Sequence, residues 1–187
     1  MKKISIILSF FGLLLSYVGF SQNTDYELLL KKYSDKPEIA AGLKQFASGG
    51  LELPLDTKNV TPDQIIKIAK TYLGTPHCMQ GTTHQCIDCS GLLYATFKQV
   101  GINLPHSSQG IARYGRLIID VDSLKPGDLV FFISTYHTHN FITHSGIYLG
   151  NHRFIHTSKK KGVIISDITD PYYWSKYFIF GKRIFNQ

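Results

Sequence analysis

Asp88 and Cys89 stand at the head of a helix-forming run, and two histidines, His144 and His156, mark later apolar runs. A thiol, an imidazole and a second group that orients the imidazole are the parts of nucleophilic acyl transfer. The sulfur attacks a carbonyl, one ring takes its proton, and the other fixes the first ring's tautomer.

From Cys89 the chain continues through Leu93, Phe97 and Val100, which share one face at helical spacing. Asp88 is a natural N-cap for that helix and Gly101 a natural stop. A thiol in the first turn feels the positive end of the macrodipole. With a cationic histidine near, its pKa is expected to fall from about 8.5 to roughly 3.5–7.5, which gives a thiolate at neutral pH. The plainer reading of Cys89 is a small buried hydrophobe. Gly127 to Phe132 reads as a buried strand, His144 opens the next, and His156 closes a third that begins at Arg153. Three such strands in a meander place His144 and His156 side by side across a ladder, about 5 Å apart.

Several further segments resemble the NlpC/P60 family of papain-like cell-wall peptidases: Tyr72-Leu73-Gly74-Thr75-Pro76, Gly81-Thr82-Thr83, Asp88-Cys89-Ser90-Gly91-Leu92, Leu104-Pro105, Leu124 to Phe132, and His144 to Gly150. The resemblance runs from about Thr61 to Ile184. It implies an α+β fold with the nucleophile helix packed on a small antiparallel β-sheet. It also implies Cys89 as nucleophile, His144 as base, His156 as third member, and Asp88 as an acidic group near the substrate amine. The implied substrates are peptidoglycan stem peptides, cut between γ-linked D-glutamate and a diamino acid. Where the family usually has a tyrosine that helps bind substrate and oxyanion, this chain has His77. An imidazole N–H there, with the Cys89 backbone N–H, can still donate to an oxyanion. Ser90, Ser107 and Ser108 complete the candidate substrate contacts, with solvated turn residues the plainer reading of the last two.

Residues 1–21 read as a signal peptide: Lys2 and Lys3, an apolar stretch from Ile4 to Phe20, and a small-residue exit with Gly19 and Ser21. A retained N-terminal anchor is the alternative. Export to the periplasm or beyond is the expectation, with no stable membrane anchor after cleavage. The formal charge of +7 falls by the two lysines of the leader, and a basic enzyme suits an anionic wall polymer. Lys159-Lys160-Lys161 before Gly162 reads as a hairpin turn, so nucleic acid is not an expected partner. Export permits disulfides, and of the three cysteines Cys78 and Cys86 are expected to pair; two free thiols, or a zinc site with His77 and His84, are the alternatives.

Residues 22–57 form a short helical arm, with helical stretches at 26–33 and 37–46, and 58–187 the catalytic domain. Thr61-Pro62-Asp63-Gln64 is a capping box before a helix carrying Ile65, Ile66, Ile68, Ala69, Tyr72 and Leu73. The segment 134–141 lies between two strands and is expected to line the groove; His137 and His139 there lack a carboxylate or cysteine, so no metal is expected. Tyr172, Tyr173 and Trp174 are expected to pack rather than to stack on sugar. The whole implies a thiol endopeptidase with no cofactor. The rivals are an amidase cutting before L-alanine on the same fold, and a non-catalytic wall-binding module.

Overall fold

The computed structural model describes residues 24–185, so the expected signal peptide lies outside the described residues. Helical residues 24–32 (α1) and Pro37–Ala47 (α2) form the arm. Pro62–Lys70 (α3) starts on the expected capping box, in which the Thr61 hydroxyl accepts from the Gln64 N–H and the Gln64 side chain accepts from the Thr61 N–H. Cys89–Lys98 (α4) is capped by Asp88, and the short helix Ser108–Ile111 (α5) by Ser107. Of the apolar set expected on the α3 segment, Ile65, Ala69 and Tyr72 are buried, whereas Leu73 is exposed.

Six antiparallel strands form one sheet in the order β1-β6-β2-β3-β4-β5: Arg116–Ile118, Phe178–Arg183, Leu129–Ile133, Ile142–Gly150, Arg153–Ser158 and Gly162–Asp167. The meander β2–β3–β4 matches the three strands expected from the sequence; β1, three residues on the edge, carried no such signal. A four-residue helix, Trp174–Tyr177 (α6), precedes β6.

Each face of the sheet has its own core. α4 packs on β3 and β4, and Leu92, Leu93 and Phe97 meet Leu129, Phe131, Ile147 and Ile155 there. Leu29, Leu43 and Phe46 of the arm are buried in that same cluster, so the arm is packed into the fold. The opposite face carries Val130, Phe132, Tyr148 and Phe154, with Trp174 and Tyr177 laid over them. Burying side chains of this size stabilises by roughly 1.5–3 kcal/mol each, before entropy is charged against it.

Candidate active site

Asp88 fixes the start of α4. Its Oδ1 accepts the Gly91 N–H at 2.7 Å and the Ser90 hydroxyl at 2.9 Å, and its Oδ2 accepts the Gln80 N–H at 2.7 Å. His106 Nε2 stands 3.3 Å from the same Oδ1. The loop before the helix lies so close that a Cβ on Gly91 would come within 1.9 Å of the Gly81 carbonyl oxygen. Only glycine fits there. Cys78 and Cys86 are joined in that loop by a disulfide, with Cα atoms 5.4 Å apart. His84 stacks on Tyr72 at 4.0 Å, so the alternative zinc set does not assemble. Among the described residues no group of three or more His, Cys, Asp or Glu is placed to hold a metal.

Cys89 is half-buried in the first turn of α4. Its Sγ lies 3.6 Å from Ser108 Oγ, which in turn lies 2.9 Å from Ser145 Oγ. The backbone N–H groups of Ser145 and Ser90 are also directed at the sulfur. The expected lowering of the thiol pKa is not found. Burial pushes the thiol up, the Ser108 hydroxyl and the two N–H groups pull it partly back, and the Asp88 carboxylate pushes it up again. Desolvation of a sulfur under a sheet, and the anion one residue before it, oppose the macrodipole.

His144 and His156 form a relay. His144 Nε2 is 3.0 Å from His156 Nδ1, and His156 Nε2 is 2.9 Å from Ser166 Oγ on β5. Their ring centroids lie 5.1 Å apart, the expected separation, but the pair sits on the diagonal of the ladder and not directly across it. Ile147 pairs with Ile155 and Tyr148 with Phe154, a register that puts Gly146 opposite His156 and leaves His144 on the diagonal. A Cβ on Gly146 would lie 2.7 Å from the Ile155 carbonyl oxygen, so glycine is what lets β4 approach.

Trp174 covers the pair: its ring stacks on His144 at 5.3 Å and meets His156 edge-on at 4.6 Å, while Phe132 and Phe154 complete the surround. Burial lowers the His144 pKa to about 4, with Asp88 opposing and His77 adding to the fall. Burial, and then His144, hold His156 well below the ordinary value. Both rings are neutral at pH 7, so each carries one N–H and one lone pair.

The other candidates divide. His77 is half-buried and near enough to His144 for its charge to be felt. Ser90 is bonded to Asp88, and Ser107 accepts from the Gly110 N–H as the cap of α5. Ser108 is buried beside Cys89, not a solvated turn residue. The Thr157 hydroxyl donates to the Asp88 carbonyl at 3.2 Å and ties β4 to the start of α4. His137 and His139 are exposed.

Of the aromatic cluster expected to pack, Trp174 does so over the two histidines, whereas Tyr172 and Tyr173 are exposed; sequence reasoning missed Ser145, Ser166 and Tyr136. Ser166, one residue before the end of β5, carries no signal until the β4–β5 register is known. Tyr136, in the β2–β3 loop, stands close enough to Cys89 and Asp88 for their charges to add to the rise that burial gives its phenol.

The model of the NlpC/P60 family matches residues 74–182, a span that contains Cys89, His144 and His156. The gamma-DL-glutamyl hydrolase of Bacillus subtilis is 39% identical over 114 residues, 60% of this chain and 27% of that protein. The murein DD-endopeptidase MepS/murein LD-carboxypeptidase of Escherichia coli is 36% identical over 117 residues, 62% of this chain and 59% of that one. The chain thus spans less than two thirds of the length of either relative. A crystal structure of an NlpC/P60 family protein from Bacillus cereus superposes with a TM-score of 0.60 at 28% identity, over 70% of this chain and 42% of that one. With the matched segment supplying α4, β2 to β5 and most of β6, the papain-like α+β arrangement of helix and sheet is that of its relatives, and the chain belongs to the NlpC/P60 family.

Proposed function

We propose that the protein is an exported cysteine endopeptidase that hydrolyses peptidoglycan stem peptides at the bond between γ-linked D-glutamate and a diamino acid. The observation that carries this reading is the placement of Cys89 Sγ at the head of α4, beside the strand that bears a neutral His144 tied to His156 and Ser166.

One arrangement of protons along the relay is productive. His156 donates from Nε2 to Ser166 Oγ and accepts on Nδ1 from the His144 Nε2–H. That leaves the His144 Nδ1 lone pair free to take the thiol proton as sulfur attacks the scissile carbonyl. Because thiol and imidazole both rest neutral, charge separates only as the S–C bond forms. The Ser108 hydroxyl and the Ser145 N–H favour the sulfur's negative charge before attack. In the tetrahedral intermediate the oxyanion is held by the Cys89 backbone N–H, which has no helical partner at that position, and by His77. His144 then gives its proton to the leaving amine, and water attacking the thioester frees the acid and restores the thiol.

The murein activity named for the E. coli relative supports a wall substrate, and the hydrolase activity named for the B. subtilis relative supports a γ-glutamyl bond. The Cys78–Cys86 disulfide supports an oxidising compartment, hence export.

The test is mass spectrometry of muropeptides released from purified sacculi by the protein and by Cys89→Ala. Fragments ending in γ-D-glutamate, absent with the variant, support the reading. Products opened at the D,D cross-link transfer the enzyme to the specificity named for the E. coli relative. Stem peptides starting at L-alanine make it an amidase, and no Cys89-dependent product sinks the peptidase reading.

A further inference from the structure

A cavity of about 490 Å³ opens between the arm and the β2–β3 loop, in the size range of ligand pockets. Glu38 and Ile39 of α2 form one wall, and Tyr136, His137, Asn140 and Thr143 form the other. The α2 wall lies outside the segment that matches the family.

The cavity has a fixed frame. Gln109 Oε1 accepts the backbone N–H groups of Phe141 and Ile142 at 2.7 and 3.3 Å, so α5 holds the far end of the loop. At the near end the Thr135 N–H donates to Thr143 Oγ1 at 3.0 Å. The Phe141 ring packs against Phe46 of α2 at 6.2 Å and fills the space that a Cβ on Gly42 would need, coming within 2.5 Å of it. Arm and loop are therefore locked to each other. Gln109, which holds the Phe141 end of this lining, directly follows Ser108, whose Oγ lies 3.6 Å from Cys89 Sγ, so the cavity and the candidate nucleophile are anchored on the same short helix.

Its charge runs against that of the whole protein. The chain has 20 Lys and Arg against 13 Asp and Glu, yet the lining holds neither lysine nor arginine, and Glu38 is its one carboxylate. Ile39, Ile133 and Phe141 supply apolar surface for a methylene stem. An ammonium at the end of an aliphatic chain fits both features; an anionic terminus would face Glu38 with no cation in the lining to receive it.

We propose that this cavity is a substrate subsite for an amino-acid side chain ending in an ω-ammonium, with Glu38 as its counter-ion. The proposal rests on the stem-peptide reading above and names the residue type that reading leaves open. A structural role competes for Glu38, since a carboxylate in the first turn of α2 also favours the helix dipole.

The two roles separate on paired peptides, L-Ala-γ-D-Glu-L-Lys and its norleucine isostere, which lacks the amine. The protein should turn over the lysine peptide with a kcat/KM about three- to tenfold higher, the size of a partly screened charge-assisted contact. In Glu38→Gln that ratio should fall to about one through loss on the lysine peptide. A ratio near one in the wild type, or equal losses on both peptides in the variant, overturns the subsite. Binding of the same peptides to Cys89→Ala, with and without Glu38→Gln, keeps the subsite testable if neither peptide is cut. Tighter, Glu38-dependent binding of the lysine peptide then upholds the subsite while the γ-glutamyl assignment falls; equal binding of the two overturns the subsite whichever bond is cleaved.

Discussion

Trp174 lies against His144 with ring centroids 5.3 Å apart and planes 27° from parallel. The indole belongs to α6, the short helix just before β6, so the chain's last elements close over a ring placed by β3. The same indole meets Phe132, Phe154 and His156 edge-on. A low-dielectric lid of this kind disfavours the charged form of any imidazole beneath it.

That lid sets the acid limb of activity. A base must be unprotonated, and His144 protonates at about 4 rather than near 6.5. With a peptide substrate, kcat/KM should hold from neutral pH down toward pH 4 before it falls. Trp174→Ala admits water to the ring and should move that limb up toward 6.5, with Trp174→Phe between the two. An acid limb that stays in place in Trp174→Ala would show that burial by the indole is not the cause. The same sign governs stability. The unfolded histidines bind protons that the folded pair resists, so stability falls as pH drops from 6.5 toward 4.

Ser108 is the residue for which the thiol chemistry makes the sharpest prediction. Its hydroxyl lowers the Cys89 pKa and bridges to Ser145 Oγ. Ser108→Ala should shift the midpoint of Cys89 alkylation by iodoacetamide to higher pH and cost about 1–2 kcal/mol of stability, because Ser145 loses a buried partner. An unshifted alkylation midpoint with normal folding would assign Ser108 to packing alone.

The central strands were legible from their apolar runs, and α4 because local signals agree there: period, cap and stop all point the same way around Asp88, Cys89 and Gly101. Cys89, His144 and His156 were legible as candidate residue types in order. What the sequence withheld was set by register and burial. Ser166 reaches His156 only because β4 and β5 pair as they do, and His144 sits diagonal to His156 because Gly146 takes the opposite position. The thiol pKa was read in the wrong direction because dipole and desolvation oppose each other, and only the packed sheet decides between them.

The Cys78–Cys86 bridge closes a loop of sequence separation 8 immediately before α4. A chain-entropy argument gives such a loop about 2–3 kcal/mol. The Cys78→Ser/Cys86→Ser pair should therefore lower Tm by about 5–10 °C in a chain of this size. His77 lies in the same segment, so kcat should fall further than the lost folded fraction explains. A loss of Tm with kcat preserved would limit the bridge to stability and argue against His77 at the oxyanion.

Lys182 is wholly buried on β6, its ammonium donating to the carbonyls of Leu51 and Gly115 and lying 5.6 Å from the centre of the Phe180 ring. It ties the segment leading out of the arm to the sheet. Burial lowers its pKa from 10.5 to about 7, with Glu52 opposing. Between those values the unfolded chain carries a proton that the folded protein gives up, so stability must rise with pH in that window. From pH 7 to 8.5 the gain is about 1.5 kcal/mol, or about 3–6 °C in Tm. That range lies above the ordinary histidine value, and only toward its upper end does the unfolded Cys89 thiol begin to ionise and oppose the gain, so Lys182 sets most of the slope. Lys182→Met should flatten the slope over this range whatever it does to Tm at pH 7, where two orphaned carbonyls offset the relief of burying no charge. A wild-type Tm that stays level from pH 7 to 8.5, or a slope that survives in Lys182→Met, would show that the ammonium finds enough compensation at Leu51, Gly115 and Glu52 to remain charged inside the fold.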